Sequence, residues 1–386
     1  MPKLLKWQDI ANSRVLLRLD LNVPINNGVI DSDFRIIQSL PTIRKLLGND
    51  NKVIILSHLG RPSTAKRDPS FSLKIIADYI SSQLNEEINL VDELGKDLVF
   101  ENSRICMIEN IRYFSGEKDN DQEFSRILSQ HADYFVFDAF GVSHRTEAST
   151  YGLMNFLDYA PGPLIISEIE NTDKILSEPK SPLCTIISGA KISTKLSLLE
   201  TFVSISDYVI LGGGILNTYL HINGYEIGNS LCEKDINTDY VDVFNHGNKD
   251  KIIMPRDVVC ATGSCMDNYQ TKDISMVQLD DKILDVGIES VKKYTQTIND
   301  CSTVFWNGPL GFVEKNPYDA GTKAIIKLLA ESKCYSMIGG GDTVSVVEKM
   351  KLEDKISYIS TGGGALLKYI EGKKMPVLEK LGLKKS

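Results

Sequence analysis

Polar side chains, most of them basic, recur in the first half of this chain in short separate stretches: Asp20 and Asn22 in LDLNV, Arg35 in DSDFRII, His58 and Arg61 in SHLGRP, Arg112 in ENIRYF, and His144 and Arg145 in GVSHR. A guanidinium group binds phosphate or carboxylate through paired hydrogen bonds, so several converging on one place would suit a small substrate bearing both groups. A single arginine of this set reads equally well as a solvated charge or a local ion pair; the recurrence is what points to an anion site. His58 and His144 read either as structural hydrogen-bonding groups or as proton carriers.

The second half carries glycine instead: Gly212, Gly213 and Gly214, then Gly339, Gly340 and Gly341 followed by Asp342 and Thr343, then Gly362, Gly363 and Gly364. Glycines leading from a strand into a helix present free N–H groups and the positive end of a dipole, which suits nucleotide phosphates. Tight turns also need glycine, so no one triplet decides the matter. Asp342 would place a carboxylate beside those phosphates, as a Mg²⁺ ligand requires. Lys191 and Lys195, four apart in SGAKISTKL, would share a helix face and neutralise charge on a transferring phosphoryl group, or stand as solvated lysines. Asn307, Pro309 and Glu314 in WNGPLGFVE follow another apolar run, and Glu314 would accept from ribose hydroxyls or cap a helix. Neither a Walker A sequence nor a complete GxGxxG after the first predicted strand is present.

The elements that must position these residues are apolar runs of strand length at 15–23, 52–60, 105–110 and 134–140, and again at 184–190, 208–214, 303–311, 335–343 and 356–364. Their spacing leaves room for helices, and continuous apolar runs predict parallel sheets covered on both faces. Ligands bind outside the carboxyl ends of such strands, where the candidate residues fall. With 386 residues, above the roughly 250 to 300 at which one core stops growing, the chain is expected to form two domains. Between the halves, APGPLIISEIENTDKILSEPKSP predicts a connecting helix bounded by prolines, whose Ile165, Ile166, Ile169, Ile175 and Leu176 could pack on both domains; a surface helix of one domain is the alternative.

A net charge of −8 argues against a broad nucleic-acid surface. No apolar run reaches the roughly 18 residues of a membrane span, and the N-terminus lacks a signal-peptide core, so a cytosolic protein is expected. Seven cysteines without CxxC pairs predict reduced, mostly buried thiols. An NAD-linked dehydrogenase would need a dinucleotide fingerprint that is missing, and a non-catalytic nucleotide binder would not need Arg35, Lys191, Lys195 and Asp342 together.

In this order and spacing the strings VLLRLDLNVP, DFRIIQSLPTI, SHLGRP, ENIRYFSGE, DAFGVSHR, SGAKISTK, LGGG, WNGPLG, GGGDT and STGGGA resemble the phosphoglycerate kinase family over nearly the whole chain. The resemblance implies an α/β fold of two Rossmann-like doubly wound domains, each with a mainly parallel sheet. It implies a 3-phosphoglycerate-binding domain at 1–163 joined by residues 366–386, an interdomain helix at 164–180, and a nucleotide-binding domain at 181–365. It further implies reversible phosphoryl transfer from 1,3-bisphosphoglycerate to ADP with hinge-bending closure, Mg²⁺ accompanying ATP or ADP, and a cytoplasmic monomer whose partners are those small molecules, with no nucleic acid or membrane. Carried over by motif, substrate binding falls to Asp20, Asn22, Arg35, His58, Leu59, Gly60, Arg61, Arg112 and Arg145. Nucleotide binding falls to Lys191, Lys195, Gly213, Gly287, Asn307, Glu314, Gly340, Gly341, Asp342 and Thr343, with Arg35, Lys191 and Lys195 catalytic and Asp342 on the metal. Two departures stand out: Phe312 and Val313 are swapped relative to the family's usual GVFE, and Leu366 and Lys368 replace a Ser and a Glu.

Overall fold

The computed structural model describes residues 2–64, 67–94, 100, 103–235, 238–245, 249–263 and 265–383. The chain forms two compact units, Met1–Glu170 with Gly364–Ser386, and Asn171–Gly363.

The first unit contains β1 (Arg14–Leu19), β2 (Ile25–Asn26), β3 (Val29–Ile30), β4 (Lys52–Leu56), β5 (Ile88–Val91), β6 (Ile105–Ile108), β7 (Tyr134–Asp138) and β8 (Asp158–Pro161). Six of these make a parallel sheet in the order β5-β6-β4-β1-β7-β8. β1 buries every residue after Arg14, because helices cover both faces of the sheet. The helices up to the crossover are α1 (Phe34–Gly48), α2 (Lys74–Leu84), α3 (Gln122–Ser129) and α4 (Pro163–Leu176). Leu17 and Leu19 of β1 pack in one core with Ile36, Leu40 and Ile43 of α1 and Ile76 and Ile80 of α2; each such side chain contributes roughly 1.5–3 kcal/mol on full burial. β2 and β3 form a hairpin that turns at Asn27 and Gly28, with φ of 49° and 74°, the left-handed pair a two-residue hairpin turn needs.

The second unit contains β9 (Leu183–Gly189), β10 (Tyr208–Gly212), β11 (Asp257–Thr262), β12 (Tyr269–Asp273), β13 (Asp281–Val286), β14 (Thr303–Asn307), β15 (Tyr335–Gly339) and β16 (Tyr358–Ile359). Its helices are α5 (Leu196–Ile205), α6 (Gly213–Ile222), α7 (Thr238–Asn245), α8 (Ile288–Asn299), α9 (Ala320–Glu331) and α10 (Gly341–Met350). The parallel sheet runs β10-β9-β14-β15-β16. Phe202 of α5 stacks on Phe305 of β14 with ring centroids 4.2 Å apart, an arrangement worth about 0.5–1.5 kcal/mol beyond its buried area. A separate antiparallel sheet, β12-β11-β13, departs from the sequence reading, which placed no strand between 215 and 302. β12, Tyr-Gln-Thr-Lys-Asp, is almost wholly exposed, so no apolar run marks it.

α4 crosses from one unit into the other. Its first turn is tied to β7 by Asp138, whose Oδ1 accepts from the Ile165 N–H at 2.9 Å and whose Oδ2 accepts from Thr42 Oγ1 at 2.5 Å. Burial pushes the Asp138 carboxyl up to about 6. At the far end Tyr335 donates to Asn171 Oδ1 at 2.5 Å, and Lys174 lies 3.6 Å over the Tyr335 ring. Ile165, Ile169 and Ile175 are buried along it. The chain then returns to the first unit through α11 (Gly364–Ile370) and α12 (Pro376–Lys380), where Tyr369 meets Phe140 edge-on and the Val377 N–H donates to Ser143 O. No described helix is long and apolar enough to cross a membrane. Cys106, Cys184, Cys260 and Cys301 are buried, and Cys265 is exposed.

Candidate functional site

In the first sheet the chain steps from β1 to β4 on one side and reaches β7 on the other, so the topological switch lies between β1 and β7. A crevice outside the carboxyl ends is expected there. The loops that leave β1, β4, β6 and β7 bring Asp20, Asn22, His58, Arg112 and Arg145 into one cluster. Arg35, opening α1, donates to Asp20 Oδ2 at 3.0 Å and to the Asn22 carbonyl at 3.1 Å. Arg112 donates to the Gly60 carbonyl at 2.6 Å and to Glu147 Oε1 at 3.3 Å, and Arg145 shares that oxygen at 3.2 Å. Gly60, with φ of +61°, fixes the SHLGRP loop: its N–H donates to Asn22 Oδ1 at 2.8 Å, and a Cβ there would strike the Phe71 ring. The Leu59 carbonyl accepts from Asn110 at 2.7 Å, so Leu59 serves the loop through its backbone. Arg61 is exposed beside this loop.

At the centre is Arg18, which sequence reasoning passed over. It lies within β1, not after it, and is fully buried. Its Nη2 donates to His58 Nδ1 at 3.2 Å. Arginine only donates, so His58 Nδ1 accepts and the imidazole carries its proton on Nε2. Burial first, then Arg18, Arg112, Arg145 and Arg35, hold His58 far below the usual histidine range. His144 is pulled down to about 4 by burial and then by Lys368 and Arg145. Both histidines are therefore neutral at physiological pH, and neither is a ready proton donor of the imidazolium kind.

Arg18 Nε and Nη1, Arg112 Nε and His144 Nδ1 are buried without a hydrogen-bond partner among the described residues. A buried polar group left unpaired costs about 1–3 kcal/mol, more when charged. An anion entering the cluster supplies the missing acceptors to the guanidinium groups. The nearby carboxylates offset only part of the positive charge. Glu117, held by the Ser149 N–H at 2.9 Å and its hydroxyl at 2.6 Å, is pushed by burial up to about 7, against the pull of Arg18. The signal for Arg18 was in the sequence: an arginine inside an apolar strand must find partners. Glu117 and Glu147 had no such signal, since both lie in loops.

In the second sheet the switch lies between β9 and β14. Lys195 spans it: its ammonium group donates to the Ser188 carbonyl at the end of β9 and to Asn307 Oδ1 at the end of β14, the latter at 2.7 Å. Burial lowers Lys195 to about 8, opposed by Asp342. Gly308 follows with φ of +96°, where a Cβ would lie 2.2 Å from Ser188 O.

Lys191 and Lys195 do not share a helix face, contrary to expectation. α5 begins only at Leu196, and a turn in which the Lys195 N–H donates to Ile192 O at 2.9 Å separates the two lysines. The Ser193 N–H donates to Glu233 at 2.9 Å, which draws the turn out of helical register. Lys191 is exposed at this turn.

A cavity of about 360 Å³ opens between the β9–α5 turn, the start of α6, β13 and the loop after β14, within the size range of small-molecule sites. Leu284, Leu310 and Phe312 make apolar walls, Glu314 stands in the lining, and Asp342 closes one end. Gly213, φ +58°, and Gly214 start α6 against this cavity; a Cβ on Gly214 would lie 2.2 Å from Ala190 O. Gly340, φ +95°, leads into α10, whose first turn carries Gly341, Asp342 and Thr343. Thr343 is buried, and its hydroxyl has no partner among the described residues. Glu314 caps no helix, since α9 starts after Asp319.

Gly287 lies outside the lining. It precedes α8, its N–H donates to Asp257 O at 2.9 Å, and a Cβ would strike the Asp257 carboxylate. The stretch Lys282 to Asp285 of β13 lines the cavity in its place. Asp285, unread in the sequence, accepts from the Gly321 N–H at 2.8 Å, and burial pushes its carboxyl up to about 7.

Among the described residues no group of three His, Cys, Asp or Glu could hold a metal ion. A hard divalent ion that keeps water and phosphate ligands needs only one or two carboxylates, and Asp342 at the N-terminus of α10 offers one. The swap at 312 and 313 leaves Glu314 on the cavity and puts the Phe312 ring in its wall, with the Phe312 N–H on Leu284 O at 2.8 Å. Leu366 is fully buried in α11, and Lys368 adds its charge beside His144.

A family model described as phosphoglycerate kinase matches residues 5–373. A phosphoglycerate kinase of Legionella pneumophila (strain Lens) is 42% identical over 374 residues, covering 96% of this chain and 94% of that protein. One from Coxiella burnetii is 39% identical over 376 residues, covering 96% of each. The solved structure of phosphoglycerate kinase from Coxiella burnetii superposes with a TM-score of 0.85 at 38% identity, and that from Pyrococcus horikoshii OT3 with 0.83 at 26%, each covering 98% of both chains. Two doubly wound units, arginines at one switch point, lysine and glycine at the other, and a match along almost the full length lead to one assignment: the chain belongs to the phosphoglycerate kinase family.

Proposed function

We propose that this chain catalyses reversible phosphoryl transfer from 1,3-bisphosphoglycerate to ADP, giving 3-phosphoglycerate and ATP. The observation that carries the reading is the cluster of buried guanidinium nitrogens at the β1/β7 switch that find no acceptor among the described residues. A small ligand with phosphate and carboxylate groups matches that donor set. The first unit then binds the phosphoglycerate through Asp20, Asn22, Arg35, His58, Arg61, Arg112 and Arg145, with Leu59 and Gly60 shaping the loop and Arg18 beneath. The second binds the nucleotide through Lys191, Lys195, Gly213, Gly287, Asn307, Glu314, Gly340, Gly341, Asp342 and Thr343.

An acyl phosphate is already activated and an ADP oxygen is the nucleophile, so the protein must position the reactants and stabilise spread charge rather than supply a base. That agrees with two histidines held neutral. Arg35 and Lys191 are assigned to the oxygens of the transferring group, Lys195 to nucleotide phosphate charge, and the amides of Gly340 and Gly341 to backbone donation. Asp342 would hold Mg²⁺, which, when bound, offsets charge on the nucleotide phosphates. In-line transfer needs the reacting atoms within about 3–3.5 Å, so ligands on two units imply a closing motion. The family reading carries with it a cytoplasmic monomer. A coupled assay for ATP formation from 1,3-bisphosphoglycerate and ADP tests the proposal; a folded chain without that activity would sink it.

Two substitutions separate the ligand sets. Arg61→Ala should weaken 3-phosphoglycerate binding about ten- to a hundredfold, the worth of a charged hydrogen bond or two, and leave MgADP binding unchanged. Calorimetric titration with each ligand checks it, and equal phosphoglycerate affinity in a folded variant would reduce Arg61 to a surface charge. Asp342→Asn should show the reverse pattern, weaker binding of MgADP with 3-phosphoglycerate binding retained. A loss confined to 3-phosphoglycerate would contradict the metal assignment.

A further inference from the structure

Glu147 puts a carboxylate into the cluster of the first unit that is built to take an anion, and it is not among the ligand residues named above. One of its oxygens, Oε1, accepts from Arg112 Nη2 at 3.3 Å and from Arg145 Nη1 at 3.2 Å. The other, Oε2, is buried and finds no hydrogen-bond partner among the described residues. Both contacts are longer than the about 2.7–2.9 Å of a strong charged N–H···O bond, and neither guanidinium is met through the paired geometry that a carboxylate allows. Glu147 therefore holds the two arginines less well than a phosphate or carboxylate with both oxygens engaged would.

Its backbone nevertheless fixes it there. The Glu147 N–H donates to Thr150 Oγ1 at 3.0 Å, and its carbonyl accepts from the N–H groups of Thr150 at 3.2 Å and Tyr151 at 2.8 Å. The next residue, Ala148, donates its N–H to Glu117 O at 2.9 Å. A turn tied at several points thus presents the carboxylate to the arginines. The side chain is only 10% exposed, so solvent and salt screen its charge poorly. Two opposed effects follow. In the free protein the charge offsets repulsion between Arg112 and Arg145 and keeps both in the cluster. When an anionic ligand enters, the same charge occupies one N–H of each arginine and repels the newcomer.

We propose that Glu147 is the internal counter-ion of the anion cluster, a positioning residue that holds Arg112 and Arg145 before substrate arrives and sets the cluster's affinity for 3-phosphoglycerate below what its arginines alone would give. This rests on the function proposed above and names what tunes binding at that same site. A reversible transfer benefits, because either phosphoglycerate must be able to leave, and tighter ground-state binding lowers KM without raising kcat.

The test is calorimetric titration of the full chain with 3-phosphoglycerate and, separately, with sulfate, on the native protein and on Glu147→Gln. Glutamine keeps the size and an oxygen for the two guanidinium groups but not the charge. Both anions are expected to bind about tenfold tighter to the variant, and KM for 3-phosphoglycerate to fall by a similar factor with no rise in kcat. A side chain that only shaped the site would, when replaced, leave affinity equal or weaken it, so equal or weaker binding of both anions by the folded variant would overturn the proposal. The variant leaves the buried arginines short of one negative charge. If it does not fold, Arg145→Gln is compared with Arg145→Gln/Glu147→Gln, whose net charge is the native one; the double variant must bind sulfate the more tightly of the two, and a weaker double variant refutes the assignment. Tighter sulfate binding on loss of Glu147, with no 3-phosphoglycerate binding by any form, native included, would uphold the counter-ion and remove the substrate reading instead.

Discussion

Lys195→Met lowers turnover by about a hundred- to a thousandfold, the usual cost of removing one preorganised charged donor, and leaves 3-phosphoglycerate affinity unchanged. Methionine keeps the length and the apolar stem, so the loss isolates the ammonium group. That group joins the ends of β9 and β14 through Ser188 O and Asn307 Oδ1, at the switch point where phosphates are expected. Because burial brings Lys195 down to about 8, the free enzyme carries the charge below that pH and loses it above. The native kcat/KM for nucleotide should therefore fall with one proton above about pH 8, while kcat falls at higher pH because bound phosphate holds the proton on. Steady-state kinetics across that range, beside a thermal melt, check both statements. A variant with native turnover, or a flat native profile to high pH, would remove Lys195 from the reaction.

Arg35→Ala should lower kcat by about a hundredfold or more with little loss of stability. Its ion pair with Asp20 is at 3.0 Å and its side chain is 27% exposed, so the pair itself contributes no more than about 1 kcal/mol to folding. The remaining N–H groups of the fork are the ones assigned to the transferring phosphoryl oxygens. Arg35→Lys keeps the charge but loses the fork, and recovers only part of the rate. If both variants kept kcat within about threefold of native while KM rose, Arg35 would bind the ground state only.

Much of this was legible in the residues themselves. The nine apolar runs each hold a strand of a parallel sheet at their amino-terminal side, and the residues that follow form the loops and helix starts where Asp20, His58, Arg112 and Asp342 stand. β-branched runs buried on both faces and broken by glycine or charge are local signals, readable without neighbours. The arginine and glycine division between the halves was equally local.

Other features depend on what lies across space. Nothing near Lys191 in sequence announces that Glu233 holds the Ser193 amide and delays α5 until Leu196. The β12-β11-β13 sheet escapes because Tyr269–Asp273 is exposed and its pairing is supplied by β11. Gly287 is held by Asp257, thirty positions earlier in the chain, which its own neighbours do not announce. Arg18 becomes the centre of the anion cluster only because β4, β6 and β7 carry His58, Arg112 and Arg145 around it. By itself the sequence determined which segments become strands and which residue types stand at their ends, since burial pattern and backbone freedom are properties of neighbouring residues. Tertiary structure alone decided which of those residues share a desolvated space, and therefore which donors lack acceptors and which groups shift their protonation, because strand order sets those distances.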